Sequence, residues 1–146
     1  MIVRSLIAGS VLLAGLAVAV AQGDPIAQRK EMMKAVGGVT RDAAAMVKGE
    51  APFDLAKAQR TFTVYADTAR KFGGLFPDSS KTGGDTTAAP KIWEDMAGFK
   101  AGLAKWEKES TDAAAAVKDL DSLKAAFGNV AKNCGACHET YRIKKS

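Results

Sequence analysis

Between residues 92 and 117 the apolar side chains recur at steps of three and four: Ile92, Met96, Phe99, Leu103, Trp106, Ala113 and Val117. That spacing places all of them on one side of an α-helix, with charged residues on the other, so the segment has to bury a face against further helices. Three other stretches carry the same period. The first is expected from about Asp24 to Lys48, with Asp24 at the cap and Pro25 in the first turn, and with Ile26, Met33, Val36, Ala44 and Val47 on its inner stripe. Gly49-Glu50-Ala51-Pro52 ends it. A second helix follows from about Phe53 to Phe72, with Leu55, Phe62, Ala66 and Ala69 on one face. From Gly73 to Ala89 the sequence is rich in Gly, Ser, Thr and Asp and has no period, which predicts a long surface crossover. The third helix opens at Pro90. The fourth begins between Asp119 and Asp121 and runs through Leu123, Phe127, Val130, Cys134, Cys137 and Tyr141. No stretch alternates with the period of two that a strand needs, and no internal repeat is present. The pattern predicts an all-α protein, an antiparallel four-helix bundle with a long crossover between helices two and three.

The N-terminus has a different character. Arg4 precedes an apolar run from Leu6 to Val20 that closes on Ala19-Val20-Ala21, the charged, apolar, small-x-small order of a cleaved secretory peptide. The competing reading is a membrane anchor, but the run falls short of the ~20 apolar residues of a span and is interrupted by Gly9 and Gly15. The expectation is therefore a signal peptide over residues 1–21 and one mature domain over residues 22–146, secreted across the inner membrane to the periplasm and not membrane-bound after cleavage. The chain has 21 Lys and Arg against 16 Asp and Glu, a formal net charge of +5. These charges are scattered, with no basic stripe interleaved with aromatics, so nucleic acid is not an expected partner.

Near the end of the fourth helix stands Cys134-Gly135-Ala136-Cys137-His138, the C-x-x-C-H pattern of c-type haem attachment. Positions i, i+3 and i+4 share one helix face, so both sulfurs can meet the vinyl edge of a porphyrin while the imidazole turns to its iron. Gly135 and Ala136 are small enough to let the ring edge lie close. Structural zinc would need four ligands where this chain offers two Cys and one His. A thioredoxin-like pair belongs beside a βαβ pattern, which is absent. A plain disulfide leaves the adjacent His138 unexplained. The expected cofactor is one covalently attached haem c, with Cys134 and Cys137 as its attachment points and His138 as the iron ligand. His138 is the only histidine, so any sixth protein ligand has to be of another type, and Met33 on the inner stripe of the first helix is a candidate.

The stretches IAQRKEMMKAVG, KGEAPFD, LFPDSSKTGGD, PKIWEDMAGFK and CGACHETYRIKKS resemble the class II cytochromes c, and within them the cytochromes c′. The position of C-x-x-C-H near the C-terminus carries most of the resemblance, together with RK-x-x-M on the first helix and PKIW at the start of the third. The resemblance implies a four-helix bundle, commonly a homodimer, with a pentacoordinate haem closed on its distal face by apolar side chains. By position it places Arg29 near the haem and its propionates, Met33 on the distal face, Phe76 and Asp85 in the loop that closes the haem edge, and Arg142 beside the proximal face. Read without the resemblance, Arg29, Asp85 and Arg142 are ordinary surface charges. Low-spin relatives use a Met at the Met33 position as a sixth ligand, so two functions stand side by side. One is a haem that takes NO or CO on a hindered face and also passes single electrons to a small redox partner protein. The other is a dedicated six-coordinate electron carrier. A peroxidase would need a distal acid–base pair, and with no distal His an enzyme is not expected.

Overall fold

The computed structural model describes residues 23–144, so the expected signal peptide, 1–21, and the mature terminus at Gln22 lie outside the described residues. Helix α1 spans Pro25–Lys48 and α2 spans Leu55–Phe72; a one-turn helix, α3 (Lys91–Glu94), leads into α4 (Met96–Ala116), and α5 runs from Leu120 to Tyr141. Four aspartates start the long helices in the same way. The side chains of Asp24, Asp54, Asp95 and Asp119 accept the backbone N–H of Ile26, Lys57, Gly98 and Ser122, donors that would otherwise lack a partner in the first turn. Gly49 closes α1 with φ of 78°, a left-handed conformation that a side chain would oppose.

The helices form an up-down-up-down bundle. Tyr65 meets Thr40 across α1 and α2. Gln59 donates to the Val117 carbonyl at one end of the α2–α4 pair, and Arg70 pairs with Glu107 further along. Between α4 and α5, Lys105 donates to Asn133 and Tyr141 to Asp95. Phe62 and Leu123 are fully buried in the core, with Tyr65, Phe99, Val117 and Val130 close to it. Among the described residues no helix is long and apolar enough to cross a membrane.

Several expectations shift at the level of the element. The third helix is not continuous: Asp95, at φ −134° and ψ 56°, breaks it into α3 and α4 and uses its carboxylate to cap the second piece. Gly98 makes room for that cap, since a Cβ there would fall on the Asp95 carboxylate. In the second half of α1 the buried positions are Ala43 and Met46, with Ala44 and Val47 only half-buried, because the stripe turns away from the sequence steps after Val36. Leu55 is 41% exposed; as the first residue of α2 it lies beyond the packed layer.

The long segment 73–90 has a use that its composition does not reveal. Because α2 and α4 are antiparallel neighbours, the chain has little distance to cover, and the extra length wraps as a strap across the end of the bundle. Phe76 inserts into the core, and the Trp93 indole N–H donates to its carbonyl at 3.0 Å. A 3₁₀ turn at Asp78–Ser80 brings Ser80 against α1. The strap then joins the end of α5 through an antiparallel bridge between Ala88 and Arg142, with Ala89 N donating to the Tyr141 carbonyl and Ile143 N to that of Thr87.

Candidate functional site

A cavity of about 720 Å³ opens between α1, α5 and the strap and reaches back to α4. Its size falls in the range of roughly 300–1,000 Å³ usual for cofactor sites. Cys134, Cys137 and His138 line it from α5, Arg29 and Met33 from α1, Phe76 and Asp85 from the strap, and Arg142 from the turn after α5. All eight residues singled out in the sequence therefore border one space. Sequence reasoning did not single out Val36 and Thr40 on α1, Phe99, Leu103 and Trp106 on the seam of α4, or Tyr141, which also line it. The seam was legible as core; that part of it faces a cavity was not. The one-turn spacing of Tyr141 from His138 was the available signal for Tyr141.

The two ends of the cavity differ in chemistry. At the strap end stand Arg29, Lys30, Asp85 and Arg142, with Lys30 paired to Asp85 at 3.3 Å. The inner end is closed by Val36, Leu103 and Trp106. Arg29 is only 5% exposed, and its guanidinium carbon lies over the Phe76 ring, 4.5 Å from the centroid. Its two terminal nitrogens donate to the Ser80 hydroxyl and carbonyl and to the Thr86 hydroxyl at 3.3–3.4 Å. Burial pushes the guanidinium below its ordinary pKa, and the charge of Asp24 partly restores it. No carboxylate of the fold forms an ion pair with Arg29 among the described residues, so this enclosed cation faces the cavity without a contacting counter-charge.

Both thiols are half-buried and raised by that burial, Cys137 further by the neighbouring Cys134. Burial, reinforced by Arg142, lowers the His138 pKa and favours the neutral imidazole, whose free nitrogen lone pair is what a metal needs. On α1 the cavity wall includes Gly37, where a Cβ would have no neighbour nearer than the Arg41 guanidinium at 3.6 Å, so the backbone is bare toward a large flat ligand. A concave apolar space with two thiols, an imidazole and a cationic mouth fits a dianionic porphyrin with an iron at its centre.

The comparisons with known proteins agree with that fit. The family described as Cytochrome C' matches residues 24–142, which contain every side chain of the cavity. A cytochrome c′ of Rhodopseudomonas palustris (strain ATCC BAA-98 / CGA009) is 51% identical over 140 residues, covering 96% of this chain and 95% of its own. A cytochrome c-556 of Agrobacterium tumefaciens (strain apple 185) is 41% identical over 121 residues, 80% of this chain and 93% of its own. A solved structure of cytochrome c′ from Rhodopseudomonas palustris superposes with a TM-score of 0.82 at 50% identity, covering 86% of this chain and 100% of that one. With a matching sequence from α1 to the end of α5, a matching bundle, and thiols and imidazole bordering one cavity, the chain belongs to the cytochrome c′ family and is a c-type haem cytochrome.

Proposed function

We propose that the cavity holds one haem, bound through thioether links to Cys134 and Cys137 with the His138 imidazole on its iron, and that Met33 covers the opposite face without ligating. The observation that carries this reading is the meeting of these four side chains, from α5 and α1, in one cavity of cofactor size. When bound, the haem supplies an iron that changes by one electron and a coordination position open to a diatomic ligand. Arg29, with Lys30 and Arg142 at the mouth, offsets the propionate charges there. Phe76 and the strap close the edge above them.

On the α1 wall the one hydroxyl is already committed. The Thr40 hydroxyl donates to the Val36 carbonyl at 2.7 Å, and the Tyr65 hydroxyl lies 2.7 Å from the same oxygen. A hydroxyl has one proton to give, so Tyr65 donates to Thr40 and Thr40 has none left for the cavity. Beside Met33 and Val36 that wall offers no hydroxyl proton, and the unpartnered donor at the inner end is the Trp106 indole N–H on α4. The chemistry such an iron supplies is gas binding and single-electron transfer. The protein acts in the periplasm after removal of residues 1–21, as a homodimer, exchanging electrons with a small redox protein. A second reading has one observation in its favour: Met33 borders the cavity that His138 enters from the other side, and a Met–His pair would make a low-spin electron carrier.

The attachment claim is tested on the exported protein. Its intact mass should equal residues 22–146 plus one haem, and the haem should survive denaturing electrophoresis. In the double variant Cys134→Ala, Cys137→Ala it should be lost, and haem retained after denaturation in that variant contradicts the reading.

A further inference from the structure

A second cleft of about 280 Å³ lies between the end of α2 and the middle of α4. Ala69, Gly73 and Gly74 line it on one side, and Ala104 with the longer Lys100 on the other. Its floor is Leu103, and Leu103 also lines the haem cavity. One side chain, 7% exposed, thus borders both spaces. The rim carries the Arg70–Glu107 ion pair at 2.8 Å, which bridges α2 and α4.

We infer that Leu103 is the gate of an entry path along which small uncharged diatomic molecules pass from solvent through the α2–α4 cleft into the haem cavity. The inference rests on the gas-binding reading above. The wide mouth under the strap admits the cofactor and is narrowed once the cofactor occupies it, so a later ligand needs another way in. At the cleft Leu103 stands in both linings, and a change of its rotamer is the motion that would join the two spaces. Its surroundings keep that freedom: an added Cβ at Gly73 would stand 3.3 Å from Leu103 Cδ1, tighter than an ordinary contact, so glycine at this position leaves Leu103 room to turn. Gly73 has φ −61° and ψ −20°, which alanine adopts without strain, so its use here is space and not backbone freedom. The apolar floor beneath an ion-paired rim admits NO or CO and excludes ions, which would have to shed water to pass Leu103.

Laser photolysis of the CO complex of the haem-loaded protein tests the path. Ala104→Leu fills the cleft from an exposed position of α4, and Gly73→Ala presses a methyl group onto Leu103. Each should reduce the fraction of CO that escapes after the flash and slow association and dissociation several-fold by the same factor. The Kd then stays constant, because a barrier on the path hinders entry and exit alike. Leu103→Ala should raise escape and association. Escape and rates unchanged in both Ala104→Leu and Gly73→Ala overturn the path, and so does a change confined to dissociation, which would mark an altered pocket. Failure of the underlying reading has a different signature: association that saturates with CO concentration shows a protein ligand leaving the iron first, while escape after the flash still reports on the path.

Discussion

Arg29 and Tyr65 show how much a residue's role depends on chain far away in sequence. Arg29 stands in register with Ile26, Met33 and Val36 on the inner stripe of α1, but a charged side chain there gives no reason to expect burial. It becomes buried because Phe76, Ser80 and Thr86, some fifty residues on, come to it with a ring face and three acceptors. Phe76 is equally unexpected from its own surroundings, since a lone aromatic in a turn-rich segment gives no period to read. Tyr65 sits on a readable helix face, but its partner Thr40 and its closeness to Cys134 exist only after packing. Burial raises its phenol to about 12 against an ordinary 10.0. The fold therefore favours the neutral phenol; this stabilisation is complete below the unfolded pKa of 10.0 and is lost as pH rises through about 12. Difference absorbance of tyrosinate should show a transition near pH 12 that disappears in Tyr65→Phe. Ionisation of that residue at its ordinary value would contradict the buried, Thr40-bonded position.

Helices α1, α2 and α5 were legible almost to their ends, because each joins an Asp cap to a sustained apolar stripe. The break at Asp95 was not. Its sequence, Glu94-Asp95-Met96, lies inside an unbroken seam, and the break comes from competition: the Asp95 carboxylate satisfies the Gly98 N–H and accepts the Tyr141 hydroxyl at 3.0 Å, which a helical Asp95 would forgo. Those two bonds, the Gly98 one first, hold the carboxyl below its ordinary pKa. A depressed carboxyl stabilises the fold above its unfolded pKa and loses that contribution as pH falls through the lower folded value. Asp95→Ala should therefore lower the Tm by a few degrees at neutral pH and lose less than the parent on acidification, and parallel melting curves for the two proteins at every pH would contradict the role of the carboxylate. Leu123, on the buried face of α5, gives the scale of ordinary core packing: Leu123→Ala should cost about 2–5 kcal/mol in denaturant unfolding.

At the scale of the whole molecule, the four-helix bundle and the C-x-x-C-H end of α5 follow from the sequence, while the strap and the shape of the cavity follow from how the bundle is closed. Antiparallel packing of α1 against α5 sets Arg29 near Arg142 at the mouth and Val36 near Cys134 at the inner end, so one space receives charge at one end and apolar side chains at the other. Periodicity could place Met33 on an inner stripe, but only the packed bundle brings it to the cavity that His138 also lines. The central claim is that the haem face opposite His138 is covered and not ligated. The most direct measurement is the resting spin state at neutral pH, read from the absorption spectrum of the parent and of Met33→Ala. The account predicts a high-spin parent that binds CO directly when reduced, and a variant with nearly the same spectrum and faster, tighter CO binding. A low-spin parent converted to high spin by Met33→Ala would contradict it and make Met33 the sixth ligand of a dedicated electron carrier.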